Sequence, residues 1–415
     1  MSRLNSLVLC TLGTVFLFGC GGDSSITSAA KGGVKGKPQQ NVTAPAPAPS
    51  PTPAPAPAPA GSVIGTNMEE GYPQLDKVPT NFSLSGMLGP SWGTGDIAVP
   101  QSAIEDVGAF RFLCRPSHFA YDDPIVFPGQ KGRSHLHMFF GNTLADANSD
   151  YESLRTTGAS TCNNALNRSA YWIPALLNGR GQAVLPEYIA IYYKRLPASH
   201  PDCQQGKGCI GLPRGLRFVF GRTMSGTETR TSYFNCDGPG GTQGHYPTLV
   251  EAARFCPVGA KIGAVVHAPQ CWNGKELDSP DHRSHVSYTV RDPHTAAVSC
   301  PTTHPYRIPE FTLGAWFPVD DTLDRSGNTS TDITTWHFAS DRMAGMTPQV
   351  SGSTFHADWY GAWDDDVLAT WLANCIDKRL DCSGGDLGNG TQLSYSAEMN
   401  ATRPHLVAVP APPAS

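Results

Sequence analysis

The stretch "EYIAIYYKRL", residues 187–196, packs β-branched and aromatic residues into the length of one strand. Comparable runs lie on both sides of it: "GAFRFLC" at 108–114, "GLRFVFG" at 215–221 and "KIGAVVHAP" at 261–269. Turn residues separate them; Gly and Pro together make 79 residues. One stretch spaces its apolar residues as a helix does. In "DDDVLATWLANCI", residues 364–376, Val367, Leu368, Trp371, Leu372 and Cys375 recur behind aspartates suited to an N-cap and first turn. No internal repeat occurs. The pattern predicts a mainly β chain: one β-sandwich or jelly-roll-like domain over 85–400, with long disulfide-stapled loops and a short C-terminal helix.

The ends read differently. Arg3 precedes "LVLCTLGTVFLF", residues 7–18, an apolar run too short to span a bilayer. "LFGC" then ends at Cys20 and resembles the lipobox of bacterial lipoproteins. Residues 1–20 are therefore expected to be a signal, with Cys20 acylated and the protein lipid-anchored at the bacterial outer membrane or cell surface. Residues 21–84 are expected to form an Ala/Pro-rich disordered linker. Within it "APAPAPSPTPAPAPAPA", residues 44–60, favours extended polyproline II. At roughly 3 Å per residue it would hold the domain about 50 Å from the membrane. Residues 401–415 are expected to be a loose tail.

The charged fraction is 16%, and the net charge is −5 without a basic run, which leaves no electrostatic footprint for nucleic acid. Beyond Cys10 and Cys20, ten cysteines remain, from Cys114 to Cys382. An even number in an exported chain predicts five disulfides. Cys203 with Cys209 and Cys375 with Cys382 are plausible local pairs; the other connectivity does not follow from the sequence. No CxxC, nucleophile elbow, P-loop, dinucleotide-binding glycine pattern or HExxH is present.

Three blocks carry candidate chemistry. In "GRSHLHMFFGN", residues 132–142, His135 and His137 fall on one face of a strand, because side chains alternate. "CWNGKELDSPDHRSHVSY", residues 271–288, holds Asp278, Asp281, His282 and His285, where an aspartate can orient an imidazole. The same groups would equally serve to pin a long loop. "TFHADWYGAWDDD", residues 354–366, alternates His356 and Asp358 beside Trp359, Tyr360 and Trp363. Those aromatics suit a carbohydrate platform, or else a core cluster at the helix entry. Arg307, in "CPTTHPYRIPEF", is suited to a bidentate carboxylate contact.

These stretches, with "DPIVFPGQKGRSHLHMFFGN", "AYWIPAL" and "CPTTHPYRIP", resemble a secreted family of fungi and bacteria known as a domain of unknown function. Its fungal members are often fused to WSC carbohydrate-binding modules. The resemblance spans about residues 108–376 and implies secretion and a polysaccharide context, but no activity. The family's CxxC after "YEDLR" is here "YESLRTTGASTCNN", with Cys162 alone. That departure implies a family disulfide lost or re-paired, with Cys203–Cys209 as a local replacement.

The expected function is a carbohydrate-directed envelope lipoprotein, a hydrolase or lyase. Its cleft would join His135 and His137 to the Asp281–His282–His285 loop and to His356 and Asp358, with Trp359, Tyr360, Trp363 and Arg307 holding the glycan. The alternatives are a non-catalytic glycan- or envelope-binding module and a structural surface lipoprotein. If the blocks converge, His135, His137 and His282 or His285 would give three nitrogens for zinc, copper or non-haem iron, completed by His356 or Asp358.

Overall fold

The structure, a computed structural model, describes residues 74–412 apart from 81, 84, 94–106, 205–207, 226–230, 295–296, 328–334, 396–398 and 400–402. The expected signal, the lipobox Cys20 and the Ala/Pro tract lie outside the described residues.

The chain is mainly β, as its strand-length apolar runs predict. Ile189–Arg195 alternates strictly, with Ile189, Ile191, Tyr193 and Arg195 buried and the residues between them half-buried. It therefore has one core face and one outer face. It belongs to a six-stranded sheet ordered Ser232–Asp237, Lys261–His267, Glu310–Pro318, Ile189–Arg195, Gly108–Cys114 and Asp381–Cys382. Only the last pair is parallel. A five-stranded antiparallel sheet runs Pro116–Ala120, His137–Gly141, Ala170–Pro174, His356–Tyr360 and Arg217–Gly221.

The inner faces of these two sheets meet. Phe311 of the first lies 5.5 Å from Trp359, 5.3 Å from Phe220 and 6.2 Å from Tyr171 of the second, between ring centroids. The Tyr171 and Tyr193 hydroxyls hydrogen-bond across the gap at 3.0 Å. This aromatic layer is the main core.

The second sheet differs from the first in having both faces covered. Every residue of His137–Gly141, Ala170–Pro174 and His356–Tyr360 is buried. Met138, Phe140, Tyr171 and Trp359 belong to the inter-sheet core. Phe139, Trp172 and Tyr360 point the other way, into a smaller cluster with Ile125, Tyr151 and Leu154. The helix Tyr151–Thr156, started by an Asp150/Ser153 capping box, supplies part of that cover.

The "FFGN" turn ties this layer down. Gly141 has φ +83°, and a Cβ there would stand 2.1 Å from the Ser169 carbonyl oxygen. The buried Asn142 amide donates to the Leu154 and Thr157 carbonyls at the end of the helix. The Gly-Asn pair after the histidines is therefore architectural.

Both local disulfides form, Cys203–Cys209 and Cys375–Cys382. The others are Cys114–Cys162, Cys236–Cys256 and Cys271–Cys300, which makes five. The C-terminal helix covers Asp365–Trp371, with Asp364 accepting from the Asp366 and Val367 N–H groups, and widens into a π turn over Leu372–Ile376. Its Trp371 stacks on Phe110, with centroids 5.1 Å apart.

Candidate functional site

His137 opens its strand on the face turned away from the inter-sheet core, opposite in sense to Met138. Asp122 and Asp123 come over that face from the preceding loop. The Asp122 carbonyl lies 3.0 Å from His137 Nδ1. A carbonyl only accepts, so Nδ1 carries the proton and Nε2 carries the electron pair. His137 Nε2 is buried without a partner.

His356 repeats the arrangement. Its Nδ1–H donates to the Thr354 carbonyl at 2.8 Å, which leaves Nε2 free of the proton. Asp358, two residues on, shares its face. One carboxylate oxygen is 3.9 Å from His356 Nε2, and neither oxygen has a hydrogen-bond donor. His135 completes the group from just before the His137 strand. Its ring centroid is 4.2 Å from that of His137 and 5.2 Å from that of His356, and its Nε2 is also unpartnered.

Ligand-type atoms of His135, His137 and His356 all lie within 4.8 Å of one another. The same holds for Asp123, His137 and Asp358, so His137 joins the two groups. Asp123 is already engaged, because its Oδ1 accepts from the Ile125 and Val126 N–H groups.

Burial sets the electrostatics. It pulls His135 well below the usual imidazole range, helped by the neighbouring His137 and His356. Burial also lowers His137, against the pull of Asp123 and Asp122. It takes His356 down to about 3, with His137 and Arg283 acting the same way. All three imidazoles are neutral near pH 7. Burial and the charge of Asp123 push Asp358 well above the carboxylate range, opposed by Arg283.

Half-buried His135 also lines a surface pocket of about 620 Å³. Tyr121, Ser134, Gln182, His337 and Arg342 share the lining. His135 is thus the member of the cluster that reaches this pocket.

The middle block reaches the site through a different residue from those expected. His282 and His285 do not join the cluster. His282 sits at φ +58° with Nδ1 3.0 Å from Asp278. His285 is buried, with Nδ1 2.8 Å from Ser279 Oγ and Nε2–H donating to the Arg217 carbonyl at 2.9 Å. Asp281 is exposed and accepts from Ser279 Oγ, the Arg283 and Ser284 N–H groups and Ser284 Oγ. Against a burial effect of opposite sign, those bonds hold its carboxyl well below the usual range. Arg283, between the two histidines, is what approaches. Its guanidinium donates to the Gly221 and Arg222 carbonyls and faces Asp358 electrostatically.

Nor do the expected glycan contacts line this pocket. Trp359, Tyr360 and Trp363 are at most 4% exposed, so no ring face is offered to a sugar. Trp359 packs against both Phe218 and Phe311. Arg307 sits in the short strand Tyr306–Arg307 beside Cys271. The sequence reading missed Arg283, Asp123 and the pocket wall. Arg283 and Asp123 stand inside the quoted motifs; His337 and Arg342 carried no signal.

Fold and site together define a disulfide-stapled β domain with a buried histidine–carboxylate cluster under a surface pocket. The family model described as Domain of unknown function (DUF1996) matches residues 123–363, which is 241 of the 415 residues. The chain belongs to that family. Neither a curated protein nor a solved structure matches it.

Proposed function

We propose that the chain is an exported envelope lipoprotein, anchored through Cys20, that acts on a saccharide as a hydrolase or lyase, with the histidine cluster as the reacting centre. One observation carries this reading: His135 brings a neutral, unpartnered imidazole to the wall of a pocket of about 620 Å³. That volume is in the range of small-molecule sites. Hydrolysis needs an activated water, and elimination needs a base at carbon; both draw on such nitrogen electron pairs. The walls suit a sugar. Leu177, Met343 and Tyr121 give surface for C–H faces, while Gln182, Arg133 and Arg342 give donors for hydroxyls or a uronate carboxylate. Five disulfides fit an oxidising compartment outside the cytoplasm.

The test is product analysis on a panel of neutral, amino and uronate polysaccharides. New reducing ends, with or without an unsaturated ultraviolet-absorbing product, are expected, and their loss in His135→Ala. Retention on a polysaccharide without turnover would replace this reading with the binding-module one. Neither retention nor turnover would reject both.

A further inference from the structure

We propose that His135, His137, His356 and Asp358 together hold one divalent first-row transition ion, with zinc as the type case. The inference rests on the reading of this cluster as the reacting centre, and it names what the cluster holds.

The first argument is the account of buried polar groups. His135 Nε2, His137 Nε2 and both oxygens of Asp358 are buried and have no hydrogen-bond partner. Buried polar groups are nearly always satisfied, because an unmet one forfeits its hydration with nothing in return. Here several unmet groups converge, and each is of a type that can give an electron pair to a cation, as His137 Nε2 does by its tautomer. A cation satisfies them all at once and balances the Asp358 charge.

The second argument is orientation. The Nδ1–H groups of His137 and His356 are each held by a backbone carbonyl, at 3.0 and 2.8 Å. This fixes the tautomer so that both Nε2 electron pairs face the cluster. The same outer support recurs behind metal-binding histidines, where it orients the ring and raises its basicity.

The third is spacing. The three imidazoles' ligand atoms lie within 4.8 Å of one another, and Asp358 reaches to 3.9 Å from His356 Nε2. Ligands bound tetrahedrally at about 2.0–2.1 Å would stand about 3.4 Å apart, so the three imidazoles need close by at most about 1.4 Å. The sheet sets up this spacing. His137 stands opposite Pro174, and Asp358 stands opposite Trp172 two positions along the same strand. Two alternating pairs, His-x-His and His-x-Asp, are thereby brought to one face across a single intervening strand.

Asp123 is tied to the backbone through Oδ1, and the proposed set is three nitrogens and the Asp358 carboxylate. Such a set suits zinc, copper or iron rather than calcium or magnesium. His135 lines the pocket, which gives the ion an entry path.

The experiment uses the full chain without a polyhistidine tag, stripped with a chelator and titrated with zinc chloride. Elemental analysis after dialysis is expected to give one equivalent per chain. Cobalt chloride is expected to give the intense visible bands of a four-coordinate site. His135→Ala with His137→Ala should abolish both signals, and Asp358→Asn should weaken zinc on the order of tenfold or more. His304→Ala should change neither. Because a histidine variant that fails to fold would lose zinc trivially, Asp358→Asn is compared with the parent by thermal melting. Zinc should raise the midpoint of the parent more than that of the variant. Less than about a tenth of an equivalent in the parent would overturn the proposal. So would undiminished zinc in the folded double variant, or equal stabilisation of parent and Asp358→Asn. One equivalent of zinc in a protein inert on every polysaccharide keeps the ion and removes the saccharide reading. Turnover by a protein that takes up no zinc does the reverse.

Discussion

Replacing His267 by Gln should remove a defined part of the protein's acid sensitivity. His267 ends the strand Lys261–His267, and its Nδ1 lies 3.0 Å from Thr312 Oγ1. Burial, then the charges of Lys194 and His245, lower its pKa from 6.5 to about 4. In the unfolded chain the imidazole takes up a proton near 6.5; in the fold it resists until about 4. Between these values the unfolded state binds more protons, so stability falls as pH falls. The contribution is complete above 6.5 and gone by about 4. At about pH 5 the unfolded imidazole is nearly all protonated and the folded one nearly all neutral. The loss relative to about pH 8 is then roughly 1.5 pK units, or about 2 kcal/mol. Urea unfolding at both pH values, with a chelator present, measures it. The parent should lose about 2 kcal/mol more than His267→Gln on acidification. Site and probe are kept away from the histidine cluster, where raised Asp358 and lowered His356 act with opposite signs. Equal acid losses in the two proteins, within about 0.5 kcal/mol, would refute the argument from burial.

Trp359→Ala should cost about 3–5 kcal/mol in urea unfolding, because the ring packs against both Phe218 and Phe311; a loss below about 1 kcal/mol would contradict its core position. Cys20→Ser should move the protein from the membrane fraction to the soluble one, and unchanged fractionation would reject the lipid anchor.

The parts of the site visible in the sequence are those that depend on period two alone. His356 and Asp358 share a face because a strand alternates, and His135, just before the strand that starts at His137, still lies beside that residue. In the middle block the loop-pinning alternative holds, for a local reason. His282 takes a left-handed conformation, and Asp281 gathers the turn by accepting four hydrogen bonds. That geometry spends both histidines on the loop and turns Arg283 toward the site. Spacing does not encode it. The aromatics of "DWYGAW" misled for a different reason. Their strand is covered on both faces, so the alternation that exposes a ring on an ordinary sheet buries it here. Short-range disulfides were legible, as Cys203–Cys209 and Cys375–Cys382 show, whereas Cys114–Cys162 spans 48 residues and follows only from the sheet that brings its ends together.

The position of Gly108–Cys114 has a practical consequence. This strand lies outside the matched stretch 123–363, yet it sits between Ile189–Arg195 and Asp381–Cys382 inside the six-stranded sheet. A recombinant fragment trimmed to the match would leave Ile189–Arg195 as a raw edge, open to pairing with other chains. It would also strip Cys162 of its partner and Trp371 with Phe110 from the core. The segment by which the family is recognised is therefore shorter than the piece that can be expected to fold, and expression boundaries belong outside residues 108 and 382.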